Sequence, residues 1–461
     1  MTKSGGFALG NKGKKIKNRN YYSSYPKMVA LSFILLILIG TALLSLPISV
    51  KNGDITFLDA LFTATSASCV TGLIVYDTFN KWTLFGQIVI LCLIQIGGLG
   101  FITIMTMLSR FVKKRVSLRE KLLLRESVGT IYKGDMKSLV NTVLTGTIMF
   151  EMLGAVILST QFIPKMGFKN GLFTSVFLSV SAFCNAGFDV LGRIEAGSSL
   201  ITVNNNPVII LTISALIIVG GIGFIVWDDI YRRKARFKRY SLHTKLTIVT
   251  TLALLTFGTI IFLVLEWNNT LSDMPVWQKL LNAFFCSVTP RTAGFNSIAT
   301  GEMSGASIML TYALMFIGGS SGSTAGGVKT ITAAILLLCA VSTLRNKRDI
   351  EVYGRRISFD VVRKAAAITA INFSAIFVST IIINICQPGF GYSHILFECI
   401  SAIGTVGMTT GITPLLDILP KIVIAMLMYI GRITSLVFAF SIIFSNKKTS
   451  TKKPTGNIMI G

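Results

Sequence analysis

The chain has 461 residues, of which 52% are hydrophobic and only 14% charged, and its mean hydropathy is +0.69. A soluble domain carries about 25% charged residues, so a water-soluble globular fold is excluded. The net charge of +25 raises nucleic acid as a partner, but the charge is placed wrongly for it, because 34 of the 44 Lys and Arg fall in every second segment between apolar runs.

Those runs, at 28–50, 82–108, 139–163, 207–227, 246–267, 307–344, 365–386 and 420–444, are each long enough to cross a bilayer core. The basic segments are 1–27, 109–137, 228–245, 341–364 and the tail after Phe444. Their alternation is the positive-inside pattern, which puts both termini in the cytoplasm of a multi-pass cell-membrane protein and makes anionic lipid the ordinary partner of the bases. The first 27 residues lack an early apolar core with a cleavage site, so the first span is expected to be retained. The seven cysteines include no Cys-x-x-Cys pair, and His243 and His394 stand alone, so neither a disulfide framework nor a metal site is expected.

Between the spans lie four short apolar stretches that end on Gly72, Gly187, Gly294 and Gly407, at intervals of 115, 107 and 113 residues. They are too short to span and are expected to be re-entrant half-helices, near 59–68, 172–183, 277–288 and 394–402, each followed by a glycine strand. Four such loops meeting on one axis make an ion filter. Glycine permits the positive φ that turns successive carbonyls toward a dehydrated cation, and the negative helix ends face the ion. The expected filter residues are Cys69, Val70, Thr71 and Gly72; Cys184, Asn185, Ala186 and Gly187; Arg291, Thr292, Ala293 and Gly294; and Gly404, Thr405, Val406 and Gly407. Arg291 is expected to turn away from the ion and tie down backbone carbonyls or a carboxylate.

The expected fold class is therefore an all-α integral membrane protein with eight transmembrane helices. Four parallel units of span, pore helix, filter loop and span surround a pseudo-fourfold axis: unit one at 28–110, unit two at 138–230, unit three at 246–345 and unit four at 361–446, with cytoplasmic tails at 1–27 and 447–461. Two spans per unit keep the units parallel, whereas inverted repeats need an odd number. The second span of each unit carries Gly97-Gly98, Gly220-Gly221, Gly318-Gly319 or Gly431-Arg432 at matching depth. Close helix packing accounts for the first two pairs.

In unit three the pair opens a run of ten small residues: Gly318, Gly319, Ser320, Ser321, Gly322, Ser323, Thr324, Ala325, Gly326 and Gly327. Such a run does not hold a firm helix, and unwound backbone at membrane depth belongs inside protein or against a cavity. Lying just inside the expected filter, it is read as a gate; the alternative is a flexible but packed helix. The likeness of Gly322 to Thr330 to a phosphate-binding loop is rejected, since no strand precedes it. Arg432 stands where the other units have glycine, and a charge within a span faces the protein interior. It is expected to join the gate, either by bonding the loop's carbonyls or by raising the barrier to cations. Glu151 is expected to bond a neighbouring helix.

These motifs resemble the Trk/Ktr/HKT superfamily of potassium uptake proteins, most closely the KtrB type. The resemblance is carried by Thr71-Gly72-Leu73, Asn185-Ala186-Gly187-Phe188, the stretch Thr289 to Phe295, Gly404 to Gly407, the 318–327 loop followed by Val328-Lys329, and Arg432. It implies potassium as the permeant ion, no covalently bound cofactor and uptake that often depends on sodium. It also implies a homodimer with one pore per subunit, and a cytoplasmic ring of KtrA-like nucleotide-binding regulatory subunits. Cys69 and Cys184 stand where family members often carry polar residues. Each loop keeps one glycine of the Thr-Val-Gly-Tyr-Gly strand of potassium channels, which leaves fewer fixed sites for rejecting sodium. The competing readings are a sodium-coupled alternating-access carrier, against which the parallel units argue, and a polytopic membrane enzyme, for which no convergent set of acids, histidines or nucleophiles is found.

Overall fold

The computed structural model describes residues 24–51, 53–100, 136–234, 236–347 and 349–444. Most of the expected basic segments 1–27 and 109–137, the last part of the 82–108 span and the tail at 447–461 lie outside the described residues.

The described residues are mostly helical. Helices α1 (Ser24–Leu44), α2 (Phe57–Cys69), α3 (Thr78–Lys81) and α4 (Leu84–Leu99) come first. The starts are set by side-chain caps: Thr56 accepts from Asp59 N at the head of α2, and Thr83 accepts from Gly86 N at the head of α4. Next come α5 (Met136–Met166), α6 (Phe168–Phe183), α7 (Pro207–Ile222) and α8 (Phe224–Arg233), then α9 (Leu242–Glu266), α10 (Val276–Val288), α11 (Gly305–Phe316) and α12 (Thr330–Leu344). A hairpin of β1 (Ile350–Val352) and β2 (Arg355–Ile357) pairs Ile350 with Ile357. Helices α13 (Phe359–Cys386), α14 (Tyr392–Gly404) and α15 (Ile418–Phe444) complete the described chain.

Among the described residues, α5 from Asn141, α9 and α13 are each long and apolar enough to cross a membrane alone. The expected single span at 207–227 is broken instead: α7 and α8 meet at 92° across Gly223. The cause is local, since Gly223 has φ +103°, which ends a right-handed helix. The 307–344 run is likewise two helices, α11 and α12, separated by irregular chain, and α4 stops at Gly100, φ +79°.

The packing of these helices is cyclic. Each short helix that leads to Gly72, Gly187, Gly294 or Gly407 lies against the helix before it in its expected unit, α2 on α1, α6 on α5, α10 on α9 and α14 on α13. Each second helix also touches the half-helix of the next unit: α4 meets α6, α7 meets α10, α11 meets α14, and α15 returns to α2. Small polar residues at the half-helix ends, Ser66, Ser68, Thr71, Ser181, Thr292, Ser401 and Thr405, are fully buried, within a core that also buries Trp82, Phe62, Phe177, Phe285 and Phe397. Large apolar side chains also face outward, among them Leu35, Leu38, Phe257, Ile260, Val264, Phe373 and Phe377. An apolar exterior around an apolar core suits lipid as solvent.

Candidate functional site: the glycine ring and the loop beneath it

Gly72, Gly187, Gly294 and Gly407 have φ of +98°, +70°, +83° and +90°. A Cβ built on Gly72 would lie 2.5 Å from Ala186 O, one on Gly187 2.7 Å from Ala293 O, and one on Gly294 2.5 Å from Val406 O. One built on Gly407 would overlap Thr71 O, which returns the series to the first loop. The four loops thus close a ring in chain order, each glycine against the carbonyl that precedes the next glycine.

Two residues before each glycine, Val70, Asn185, Thr292 and Thr405 are also left-handed, with φ of +57°, +59°, +70° and +50°. Three of the four are β-branched, for which this conformation costs about 1–3 kcal/mol. The cost is offset by closing the half-helices. Thr71 N, Ala186 N and Val406 N each donate to a serine carbonyl at 2.8 Å, those of Ser66, Ser181 and Ser401. Gly72 N and Gly407 N also bond the Ser66 and Ser401 hydroxyls, both at 3.1 Å. Unit three has Val288 at that place and uses Thr289, whose hydroxyl donates to Phe295 O at 2.6 Å.

The glycines of the second helices serve this contact. A Cβ on Gly97, Gly220 or Gly431 would overlap Ser68 O, Phe183 O or Ile403 O, each four residues before a ring glycine. Gly98 leaves room for the Cys184 sulfur, and Gly221 for the Asn185 amide.

Arg291 is buried, but it does not bond the carbonyl or carboxylate expected of it. Its Nη2 donates to Thr251 Oγ1 at 3.3 Å, and Nε has no partner among the described residues. The side chain turns toward α9, where the Thr251 hydroxyl offers an acceptor and a small crevice lined by Ile217, Leu255 and Val288 leaves it room. Glu151 accepts from Gln95 Nε2 on α4 at 3.2 Å, as a bond to a neighbouring helix requires.

The 318–327 loop lies on the ring's lower face. It is folded on itself at its base, where Ile317 forms a bridge with Val328, Gly318 N donates to Val328 O at 2.8 Å and Lys329 Nζ donates to Ala325 O at 2.7 Å. Its own unit also holds it through the Ser320 and Thr247 hydroxyls, 3.2 Å apart. The remaining anchors belong to other units. Ser320 N bonds Gly221 O at 2.9 Å, and Thr324 Oγ1 bonds Phe183 O at 3.2 Å and Asn185 Oδ1 at 3.3 Å. Phe224 N, the first residue of α8, bonds Gly322 O at 2.8 Å. A Cβ on Gly326 would overlap Thr405 Oγ1, and one on Gly318 would lie 3.1 Å from Thr292 Cγ2. The loop therefore touches the left-handed residues of three units. Arg432 supplies the link to the first unit: Nη1 donates to Thr324 O, and Nη2 donates to Gly97 O and, at 3.3 Å, to Gly98 O. It is only 6% exposed.

On the other face of the ring, carboxylates brace the loops. Asp59 accepts from Lys421 at 3.0 Å and Tyr76 at 3.1 Å, joining α2 to α15. Glu398 accepts from Thr413 Oγ1 at 2.8 Å and Thr410 N at 3.2 Å. Asp189, two residues past Gly187, accepts from Leu191 N at 2.9 Å. Burial pushes the Asp189 carboxyl up to about 6, with the Leu191 bond opposing and the Asp77 charge adding to the rise.

The protein-family description TrkH: Cation transport protein matches residues 13–452. The chain belongs to this family of cation transporters. Its members are transporters rather than enzymes, and this chain is a multi-pass membrane protein with them. A relative from Enterococcus hirae, the potassium/sodium uptake protein NtpJ, is 41% identical over 97% of this chain and 99% of that protein. The Ktr system potassium uptake protein B of Bacillus subtilis is 39% identical over 95% of this chain and 96% of that protein. Among solved structures, the potassium transporter TrkH of Vibrio parahaemolyticus has the same fold, with a TM-score of 0.70 at 17% identity, covering 94% of this chain and 86% of that one.

The sixteen residues expected at the filter lie on the ring or at the half-helix ends that lead into it; of the loop, Gly318, Thr324, Gly326 and Gly327 lie against the ring, whereas Ser321 and Gly322 lie against α8. Sequence reasoning placed Val70, Asn185, Thr292 and Thr405 at the filter but missed their left-handed conformation, and it missed the serine six places before three of the glycines and the carboxylate braces. The serine is readable as a spacing, Ser66 to Gly72, Ser181 to Gly187 and Ser401 to Gly407. Its absence in unit three hides it.

Proposed function

We propose that this chain takes up potassium through a channel-like pore whose selective element is the glycine ring. The observation that carries the reading is the cyclic closure of four glycines on four carbonyls, which brings backbone of all four units together. Carbonyls of 69–71, 184–186, 291–293 and 404–406 replace the water shell of a dehydrated cation. The names of the relatives, a potassium/sodium uptake protein and a Ktr system potassium uptake protein, support potassium as substrate and sodium as a second ion.

The 318–327 loop with Arg432 is the gate. Its bonds to units two and four and its contact with three left-handed residues support a position across the path below the ring, and displacing it opens the path. The units are parallel, 28–110, 138–230, 246–345 and 361–446, with both termini cytoplasmic. The protein works as a homodimer, and KtrA-like nucleotide-binding subunits on the cytoplasmic side move the loop. Being named for a Ktr system, the Bacillus relative supports a partnered membrane subunit.

The test is cation flux into liposomes holding the purified protein, with potassium, rubidium, sodium and lithium in competition. The reading expects potassium and rubidium to pass well ahead of lithium, in unitary currents. Stoichiometric exchange without unitary events is the result expected of an alternating-access carrier, and it overturns the reading.

A further inference from the structure

Helix α8 ends in a cationic pocket of about 510 Å³ lined by Arg232, Arg233, Lys234, Arg236 and Arg239. We propose that this pocket binds the phosphate of an anionic phospholipid in the cytoplasmic leaflet, and that the bound lipid holds the 318–327 loop in its resting place. The coupling half of the proposal rests on that loop being the gate.

The pocket has more positive charge than the protein neutralises. Asp228 pairs with Arg232 at 2.8 Å and Asp229 with Arg233 at 2.7 Å. Among the described residues no carboxylate pairs with Lys234, Arg236 or Arg239. Three uncompensated cations around one opening suit a phosphodiester, which offers several acceptor oxygens to guanidinium forks.

The surroundings select a lipid over a soluble anion. The 92° bend at Gly223 lays α8 across the direction of α7, parallel to the bilayer surface if α7 crosses it. Beside the cations, Tyr231 is 81% exposed, and Phe237 and Ile230 are also exposed. Apolar and aromatic groups next to Lys and Arg are the chemistry of a helix lying in the headgroup region.

The helix is also tied to the loop by backbone. Phe224 N bonds Gly322 O at 2.8 Å, and a Cβ on Gly223 would lie 3.0 Å from Ser321 O. Trp227 fixes the helix to the bundle through Nε1 to Val219 O at 3.0 Å and ring contacts with Phe150, Phe183 and Phe224. Any force that holds α8 flat therefore holds Gly322. Bound lipid favours the resting loop, and its loss frees it.

The experiment uses the full chain in vesicles of phosphatidylcholine alone or mixed equally with phosphatidylglycerol, without any regulatory subunit. Two triple variants are compared: Lys234→Gln/Arg236→Gln/Arg239→Gln, and a control of equal charge change, Lys347→Gln/Arg355→Gln/Lys364→Gln. Retention of phosphatidylglycerol is read by native mass spectrometry, and potassium flux is read in the vesicles. The pocket variant should lose phosphatidylglycerol binding by on the order of 100-fold, the effect of removing three cations at an anionic surface. Wild type and control should conduct about fivefold less in phosphatidylglycerol vesicles, a modest coupling, while the pocket variant conducts equally in both. Undiminished lipid retention by the pocket variant overturns the site. Displacement of the lipid by inorganic phosphate at matched concentration overturns the choice of lipid. Lost retention with an unchanged lipid dependence of flux overturns the coupling, and deletion of 320–325 then tests the gate by itself.

Discussion

The ring and the 318–327 loop are both glycine-bearing irregular backbone enclosed by the helices, yet they are held in opposite ways. Each ring loop is closed onto its own half-helix. Thr71 N, Ala186 N and Val406 N bond carbonyls five residues back, at 2.8 Å in all three, and each glycine is wedged against the next unit. Moving one ring loop means breaking its own helix terminus and disturbing its neighbours in the ring. The 318–327 loop is closed on itself at its base, and its anchors go mainly to Gly221, Phe183, Asn185 and α8 in unit two and to Arg432 in unit four. Those bonds can be released together while every helix stays intact. The contrast between a fixed ring and the proposed gate lies in where the hydrogen-bond partners sit rather than in composition.

The comparison breaks most readily at the ring. Gly407→Ser sets a Cβ onto Thr71 O in a left-handed conformation, which costs roughly 1–2 kcal/mol in backbone strain before the overlap is counted. Potassium uptake at limiting concentration should fall by on the order of 100-fold, the equivalent of about 2.7 kcal/mol, in rubidium uptake by cells carrying the variant at normal protein level. The loop should respond in the opposite sense. Deleting 320–325 removes its anchors on Gly221, Phe183 and Asn185, and flux through the purified chain alone should rise by about tenfold, the scale of a 1–2 kcal/mol shift in a two-state equilibrium.

Arg432 sharpens the contrast, because it bonds both Thr324 O of the loop and Gly97 O and Gly98 O of unit one. Arg432→Ala should loosen the resting loop and remove a cation near the path, raising basal flux several-fold, about 1 kcal/mol. Arg432→Lys keeps the charge but not the planar fork, so it should lie between wild type and alanine. The smallest effect is expected at Asp189 on the opposite face. Its carboxyl, raised to about 6, is ionised above that pH and neutral below it. Lowering external pH from about 7.5 to about 5.5 should therefore raise the half-saturating potassium concentration by about twofold, as expected for losing one partly screened attraction. Asp189→Asn should show the higher value at both pH values.

Part of this architecture is legible in the amino-acid sequence. Gly72, Gly187, Gly294 and Gly407 announce themselves by spacing, and positive φ follows from needing a residue without Cβ. Arg432 can be placed because it replaces a glycine at a depth fixed by three siblings. Val70, Asn185, Thr292 and Thr405 fall at the expected filter by spacing, but their left-handed conformation is not legible, because they share no residue type and valine and threonine disfavour it. The break at Gly223 is hidden by the apolar residues on both sides, which read as one continuous span. Carboxylate braces such as Glu398 with Thr413 depend on loops whose return path local sequence does not specify.

The central claim is that the ring selects and the loop only admits. It is tested most directly by measuring potassium over sodium flux in liposomes for each of Gly72→Ser, Gly187→Ser, Gly294→Ser and Gly407→Ser, all in the 320–325 deletion so that no regulator is needed. The account predicts that the deletion alone keeps wild-type selectivity with higher flux, and that each serine lowers the potassium preference while current persists. Unchanged selectivity in all four serine variants, or selectivity lost by the deletion alone, would contradict it.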